Sequence, residues 1–174
     1  MERKKTELLV KGAIIASIYT VLTLAFGAIS YGNIGIEFRI AEALTVLPIF
    51  SVMPCYGLFA GCILSNLIGM AFSGLGIVDV IVGSLATLIA AVLTYILRNI
   101  RIKGFPFLSF LPPIIVNAVV VGFELKLFLP EVFPSLGLAF VIIGAGEATV
   151  VFALGIPLYL IINNNPSFKR FLSN

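Results

Sequence analysis

The sequence predicts an all-α integral membrane protein: one domain over residues 1–174, a bundle of six transmembrane helices with both termini cytoplasmic. Three observations lead there. The chain is 60% hydrophobic and only 11% charged, with mean hydropathy +1.18. Soluble domains carry roughly 25% charged residues, so too few are present here to solvate a surface. Apolar runs recur along the chain at close to the ~20 residues that a helix needs to cross the hydrocarbon core. The basic residues then gather in three places that a six-helix path brings to one face, the side that lysine and arginine mark as cytoplasmic.

The first run, 8–30, follows Arg3, Lys4 and Lys5, with Lys11 just inside it. It exceeds the ~7–15 apolar residues of a secretory leader and is read as a true helix. The second, 38–53, is short and broken by Pro48, and Glu37, Arg39 and Glu42 interrupt its first turns. The third, 55–72, carries Gly57, Gly61, Ser65 and Gly69 at four-residue spacing, a flat face for close helix approach. Its Cys55 and Cys62 read as small apolar packing residues. The fourth, 78–97, opens on Asp79, with Gly83 and Thr87 below it on the same face. The fifth, 107–123 or a little beyond, holds Asn117 and Glu124, seven apart on one face. The sixth, 138–162, carries Glu147 among Gly144, Ala145, Gly146 and Ala148. Proline and glycine at 54, 74–76, 104–106 and 130–134 mark the gaps. Arg98, Arg101 and Lys103 lie between the fourth and fifth runs, and Lys169 and Arg170 follow the sixth; Arg39 and Lys126 alone fall elsewhere.

Ionisable groups inside a membrane segment cost about 2.5–3.5 kcal/mol each at the bilayer centre on insertion scales, so their placement carries information. On the six-helix path they fill the outer half only. Arg39 and Glu42 enter the second helix from outside on one face; Asp79 opens the fourth; Asn117 and Glu124 share a face of the fifth. Asn66 stands about 16 Å up the third helix and Glu147 about 15 Å down the sixth, at 1.5 Å per residue. A channel or simple carrier would line both halves of its path with polar groups. The pattern instead predicts an outward-opening acidic cup above an apolar floor, suited to a donor-rich or cationic small molecule. Glu37 and Glu131 are expected to be solvated loop charges. On the first helix, Gly12 with Ala16, or Ala13 with Ser17, leaves a small-residue face near the cytoplasmic end where a partner subunit has room to dock.

Several chemistries are excluded. The chain has no histidine, which removes the commonest general base and a principal metal ligand. It has no G-x-x-x-x-G-K-[ST] phosphate loop, and the glycine pairs at 74–76 and 144–146 follow no strand. No cofactor, no metal, no nucleic acid and no enzymatic activity are expected.

The run Phe38-Arg39-Ile40-Ala41-Glu42-Ala43-Leu44-Thr45-Val46-Leu47-Pro48, then Gly57-Leu58-Phe59-Ala60-Gly61-Cys62-Ile63-Leu64-Ser65-Asn66-Leu67, then Asp79 with Gly83-Ser84-Leu85-Ala86-Thr87, resembles the QueT family of queuosine-precursor transporters. These are substrate-binding S-components of energy-coupling-factor (ECF) importers. The resemblance covers nearly the whole chain and is densest over 38–91. It implies a multi-pass protein of the bacterial cell membrane that captures a 7-deazaguanine near the extracellular face. It also implies a transmembrane coupling subunit and two ATP-binding subunits as partners, and delivery by toppling within the bilayer. The family's A-x-x-x-A docking motif on the first helix is replaced here by Gly12 with Ala16 or Ala13 with Ser17. For such a ligand, Glu147 or Glu42 is expected to read the N1–H and 2-amino edge. Asn66 and Asn117 would orient the ring, Arg39, Asn66 or Asn117 would donate to its carbonyl oxygen, Asp79 or Glu124 would meet a cationic substituent, and Tyr31, Phe38, Phe72 or Phe123 would supply an aromatic platform. The alternatives are an S-component for another vitamin-like molecule, a stand-alone carrier, and a small intramembrane enzyme.

Overall fold

The computed structural model describes residues 2–27, 39–73 and 75–173, and every regular element among them is helical. The first long helix, α1 (Glu2–Ala25), lies against α2 (Met53–Ser73) along the glycine stripe. A Cβ added at Gly57 would stand 2.8 Å from the Ile15 Cβ, and one at Gly61 would stand 2.8 Å from the Tyr19 Cβ. Contacts advance in the same direction along both helices. α1 and α2 are therefore parallel, and the chain must return between them.

The return is η1, a ten-residue 3-10 helix at Ile40–Ile49, buried at every position from Ala41 to Ile49. Here the expected spanning helix over 38–53 needs correction. A 3-10 helix rises about 2.0 Å per residue, so ten residues reach about 20 Å, where an α-helix would give about 15 Å. Backbone departing from α geometry at membrane depth is tolerated where protein encloses it, and α1, α2, the later helices and the π segment below pack around η1. The 3-10 pitch has a further effect: residues three apart stack in line, so Arg39, Glu42 and Thr45 form one row. The Thr45 hydroxyl donates to the Glu42 carbonyl at 2.6 Å within that row.

α3 (Ile77–Leu97) runs down from the end of α2. A tight turn at Ile102 and Phe105 and a 3-10 turn at Phe107–Phe110 lead into α4 (Leu111–Phe128). Pro112 and Pro113 occupy the first positions of α4, where no backbone N–H is needed. α4 continues past 123 to Phe128, and Glu124 lies within it on the helix that carries Asn117, as expected. The last crossing, expected at 138–162, is composite: α5 (Leu136–Val150), a π turn at Val151–Gly155, and α6 (Ile156–Asn164). Pro157 lacks an N–H, and in a regular α-helix its ring would strike the carbonyl four residues back. The extra residue of the π turn absorbs that conflict.

Among the described residues, five helical stretches are long and apolar enough to cross a membrane: Lys5–Ala25, Met53–Ala71, Ile77–Leu97, Phe107–Phe128 and Leu136–Asn164. A short final helix, α7 (Pro166–Ser173), lies beyond the expected runs. Its Leu172 is buried and accepts a hydrogen bond from the Ser51 hydroxyl, and the Lys11 ammonium lies 5.3 Å from the centre of the Phe171 ring. The first turns of α1, the exit of η1 and the C-terminal helix therefore meet at one end of the bundle.

Candidate ligand site

At the opposite end, three elements each contribute polar groups one or two turns apart, stacking them in two tiers. Arg39 and Glu42 come from η1 and the residue before it, Asn66 and Cys62 from α2, Asp79 and Thr87 from α3.

In the upper tier the Arg39 guanidinium pairs with Asp79, Nη2 to Oδ1 at 3.1 Å. The Asn66 amide donates to the Asp79 backbone carbonyl at 3.0 Å. All three side chains close over Gly83, where a Cβ would stand 2.8 Å from Asn66 Nδ2, 3.1 Å from Asp79 Oδ1 and 3.3 Å from Arg39 Nη1. Only a residue without a side chain leaves room for the tier.

The lower tier centres on Glu42, which is 0% exposed. Its Oε1 accepts from the Tyr19 hydroxyl at 2.5 Å and from the Thr87 hydroxyl at 3.1 Å. Thr87 also lies 3.4 Å from Cys62 Sγ. A hydroxyl has one proton to give; with it committed to the carboxylate, the Thr87 oxygen is left to accept from the thiol. The Asn66 amide, 3.7 Å from the same sulfur, links the two tiers. From α4 and α5, Asn117 donates to Glu147 Oε1 at 3.1 Å, and Asn117 also interacts with Glu42.

The structure thus brings Arg39, Glu42, Asn66, Asp79, Asn117 and Glu147 together in one buried network. The network sets the carboxylates of Glu42, Asp79 and Glu147 against the Arg39 guanidinium. Its donors are largely committed, whereas Glu42 Oε2, Asp79 Oδ2 and Asn66 Oδ1 are buried acceptors with no hydrogen-bond partner among the described residues. A buried polar atom left unmatched costs about 1–3 kcal/mol, so these oxygens can accept hydrogen bonds from any donor that reaches them.

Glu124 is placed differently. It is buried on the wall of a lateral, almost wholly apolar cleft of about 530 Å³ between α3, α4 and α5, lined also by Val82, Phe123 and Phe140 and by none of the other six residues. Phe123, one of the expected platforms, is 55% exposed on that cleft and does not face the network. Tyr31, Phe38 and Glu37, and the Phe72 side chain, lie outside the described residues. Glu131 is exposed in the turn before α5.

Sequence reasoning missed Tyr19. An aromatic residue in an apolar helix gives no sign of its partner, and that partner is 23 positions away. The spacing of Gly57 and Gly61 was the available clue, since it fixes which turn of α1 meets the cluster.

At the far end, the two small-residue pairs of α1 separate. Ala16 is buried on the Gly61 turn, and the Gly12 carbonyl would lie 2.9 Å from a Cβ at Gly57, so both also take part in the α1–α2 packing. Ala13 and Ser17 are exposed. An apolar groove of about 470 Å³ runs along this seam, lined by Leu8, Leu9, Gly12, Ala13, Ala16 and Tyr56 among others.

The sequence model of one family, described as QueT transporter, matches residues 9–164. Among curated proteins, the chain is similar to the Queuosine precursor transporter QueT of Lactococcus lactis subsp. cremoris (strain MG1363), 38% identical over 91 residues that cover 51% of this chain and 50% of that protein. The match thus spans about half the length of that relative. No solved structure matches the chain.

Proposed function

The chain belongs to the QueT transporter family, and from that premise we propose that it is the substrate-binding membrane subunit of an ATP-driven ECF importer, capturing a 7-deazaguanine queuosine precursor from the extracellular side. The family is one of transporters, not enzymes, and its apolar helices make the chain a multi-pass membrane protein. The observation that carries the finer reading is the set of buried acceptors at Glu42, Asp79 and Asn66. A guanine-like edge presents N1–H and a 2-amino group, both donors, and an aminomethyl substituent adds a cation that the carboxylate excess would balance. Its carbonyl oxygen would take a donor from Arg39 or Asn117. Glu147 remains in reach of the ligand through Asn117, whereas Glu124, on the cleft wall, has the weaker claim.

In this proposal η1 supplies the sixth crossing and both ends of the chain are cytoplasmic, in keeping with the basic residues at 3–11, 98–103 and 169–170. The groove beside Ala13 and Ser17 would then lie at the cytoplasmic end, where a transmembrane coupling subunit would dock.

Calorimetry of the purified protein with 7-deazaguanine bases and with guanine tests the substrate. Saturable one-to-one binding is expected. Glu42→Gln and Glu147→Gln should each weaken it by more than about tenfold, because a hydrogen bond to a charged group is worth about 1.5–3 kcal/mol. No saturable binding to any of these bases would overturn the assignment.

A further inference from the structure

Tyr19 is the sole α1 residue among the described contacts of the ligand network, and its place there is tightly constrained. It is 1% exposed, and its Cβ would come within 2.8 Å of a Cβ at Gly61, so α2 fixes the root of the side chain. From that root the hydroxyl reaches across to η1 and donates to Glu42 Oε1 at 2.5 Å. Thr87, from α3, donates to the same oxygen at 3.1 Å. Glu42 Oε2 is buried and receives no bond from the described residues. Two donors from two different helices thus hold one carboxylate oxygen; Asn117 approaches the carboxylate from α4, and Oε2 takes no hydrogen bond from it or from any other described residue.

A free carboxylate rotates about its last bond and offers either oxygen. Here the two hydroxyls remove that freedom before any ligand arrives, and preorganisation of this kind raises affinity by reducing what must be ordered on binding. We propose that Tyr19 is a positioning residue of the ligand site, which with Thr87 pins Glu42 Oε1 and presents Oε2 as the acceptor for a ligand N–H. The inference rests on the binding function proposed above and names no direct contact between Tyr19 and ligand.

A double-mutant cycle tests it, with Tyr19→Phe and Glu42→Gln made singly and together and affinity for a 7-deazaguanine base measured by calorimetry. Tyr19→Phe should weaken binding by about tenfold in the native background, the scale of one charge-assisted hydrogen bond. In the Glu42→Gln background the same change should alter affinity by less than about twofold, since residues acting through one group are strongly non-additive. Should the phenylalanine variant fail to fold, fluorotyrosine at position 19 keeps the shape and changes only the acidity of the donor. It must then shift affinity in the native background and leave it unchanged in the Glu42→Gln background. Equal effects in both backgrounds, or none in either, would overturn the positioning role while leaving the binding function intact. A native protein that binds no such base would overturn the function and this inference together.

Discussion

At Gly83 three polar side chains from three elements converge on a spot where a methyl group has no room. The nearest of them, the Asn66 amide at 2.8 Å from the position of a Cβ, is anchored to the Asp79 carbonyl and cannot retreat without giving up that bond. Gly83→Ala is therefore expected to destabilise the protein by about 1–3 kcal/mol, the usual range for overpacking, and to weaken ligand binding through the displaced Arg39 and Asp79. Thermal unfolding in detergent, with and without ligand, checks both; an unchanged melting temperature and affinity would mean that the tier relaxes freely. Most of this network was legible because a buried charge or amide inside an apolar run advertises itself. Arg39, Glu42 and Asp79 needed only the topology to bring them together. The hydroxyls that complete the network, Tyr19 and Thr87, gave weaker notice: Thr87 showed only as a neighbour on the Asp79 face, and nothing marked the Tyr19 hydroxyl as bonded.

Among the elements, the five long helices follow from apolar length alone, and the glycine stripe of α2 names its own packing face. What length could not give was pitch. An apolar ten-residue segment with an interior proline is compatible with a short α-helix, a 3-10 helix or a break, and enclosure by neighbours selects the 3-10 form here. The π turn is a similar case: Pro157 announces a disturbance in the last crossing, while its form depends on Gly155 meeting Val46 of η1, where a Cβ would stand 2.9 Å from Val46 Cγ1. The α1–α2 seam offers the cleaner test of these close approaches. At Gly61 a Cβ would meet the backbone of α1 itself, 2.9 Å from the Ala16 carbonyl oxygen and 3.1 Å from its Cα, so no side chain can move aside. Gly61→Ala should cost about 1–3 kcal/mol. Gly137→Ala, in the first turn of α5 with nothing within 4 Å, should be neutral or stabilising by about 0.5–1 kcal/mol, the helix preference of alanine over glycine. Equal melting temperatures for the two variants would contradict the packing described.

Across the whole molecule the two ends differ in kind. One holds a buried network short of donors; the other gathers the first turns of α1, the end of η1, α7 and an apolar groove. In the proposed importer these ends have separate tasks, ligand capture and docking on the coupling subunit, with α1 common to both: it carries Tyr19 at one and Ala13 at the other. The separation predicts that the tasks can be broken independently. Ala13 is exposed and lines the groove, so Ala13→Trp would fill the space into which a partner helix packs while touching nothing near Glu42. The variant should keep its calorimetric affinity for a 7-deazaguanine base within about twofold, since Ala13 is exposed on the groove and makes none of the hydrogen bonds of the buried network. It should also fail to co-purify with a co-expressed coupling subunit and fail to support uptake in cells. Assembly that survives the substitution would move docking away from this groove. Uptake by the native chain expressed without any energising subunits would point to a stand-alone carrier instead, for which a groove at the basic end has no role.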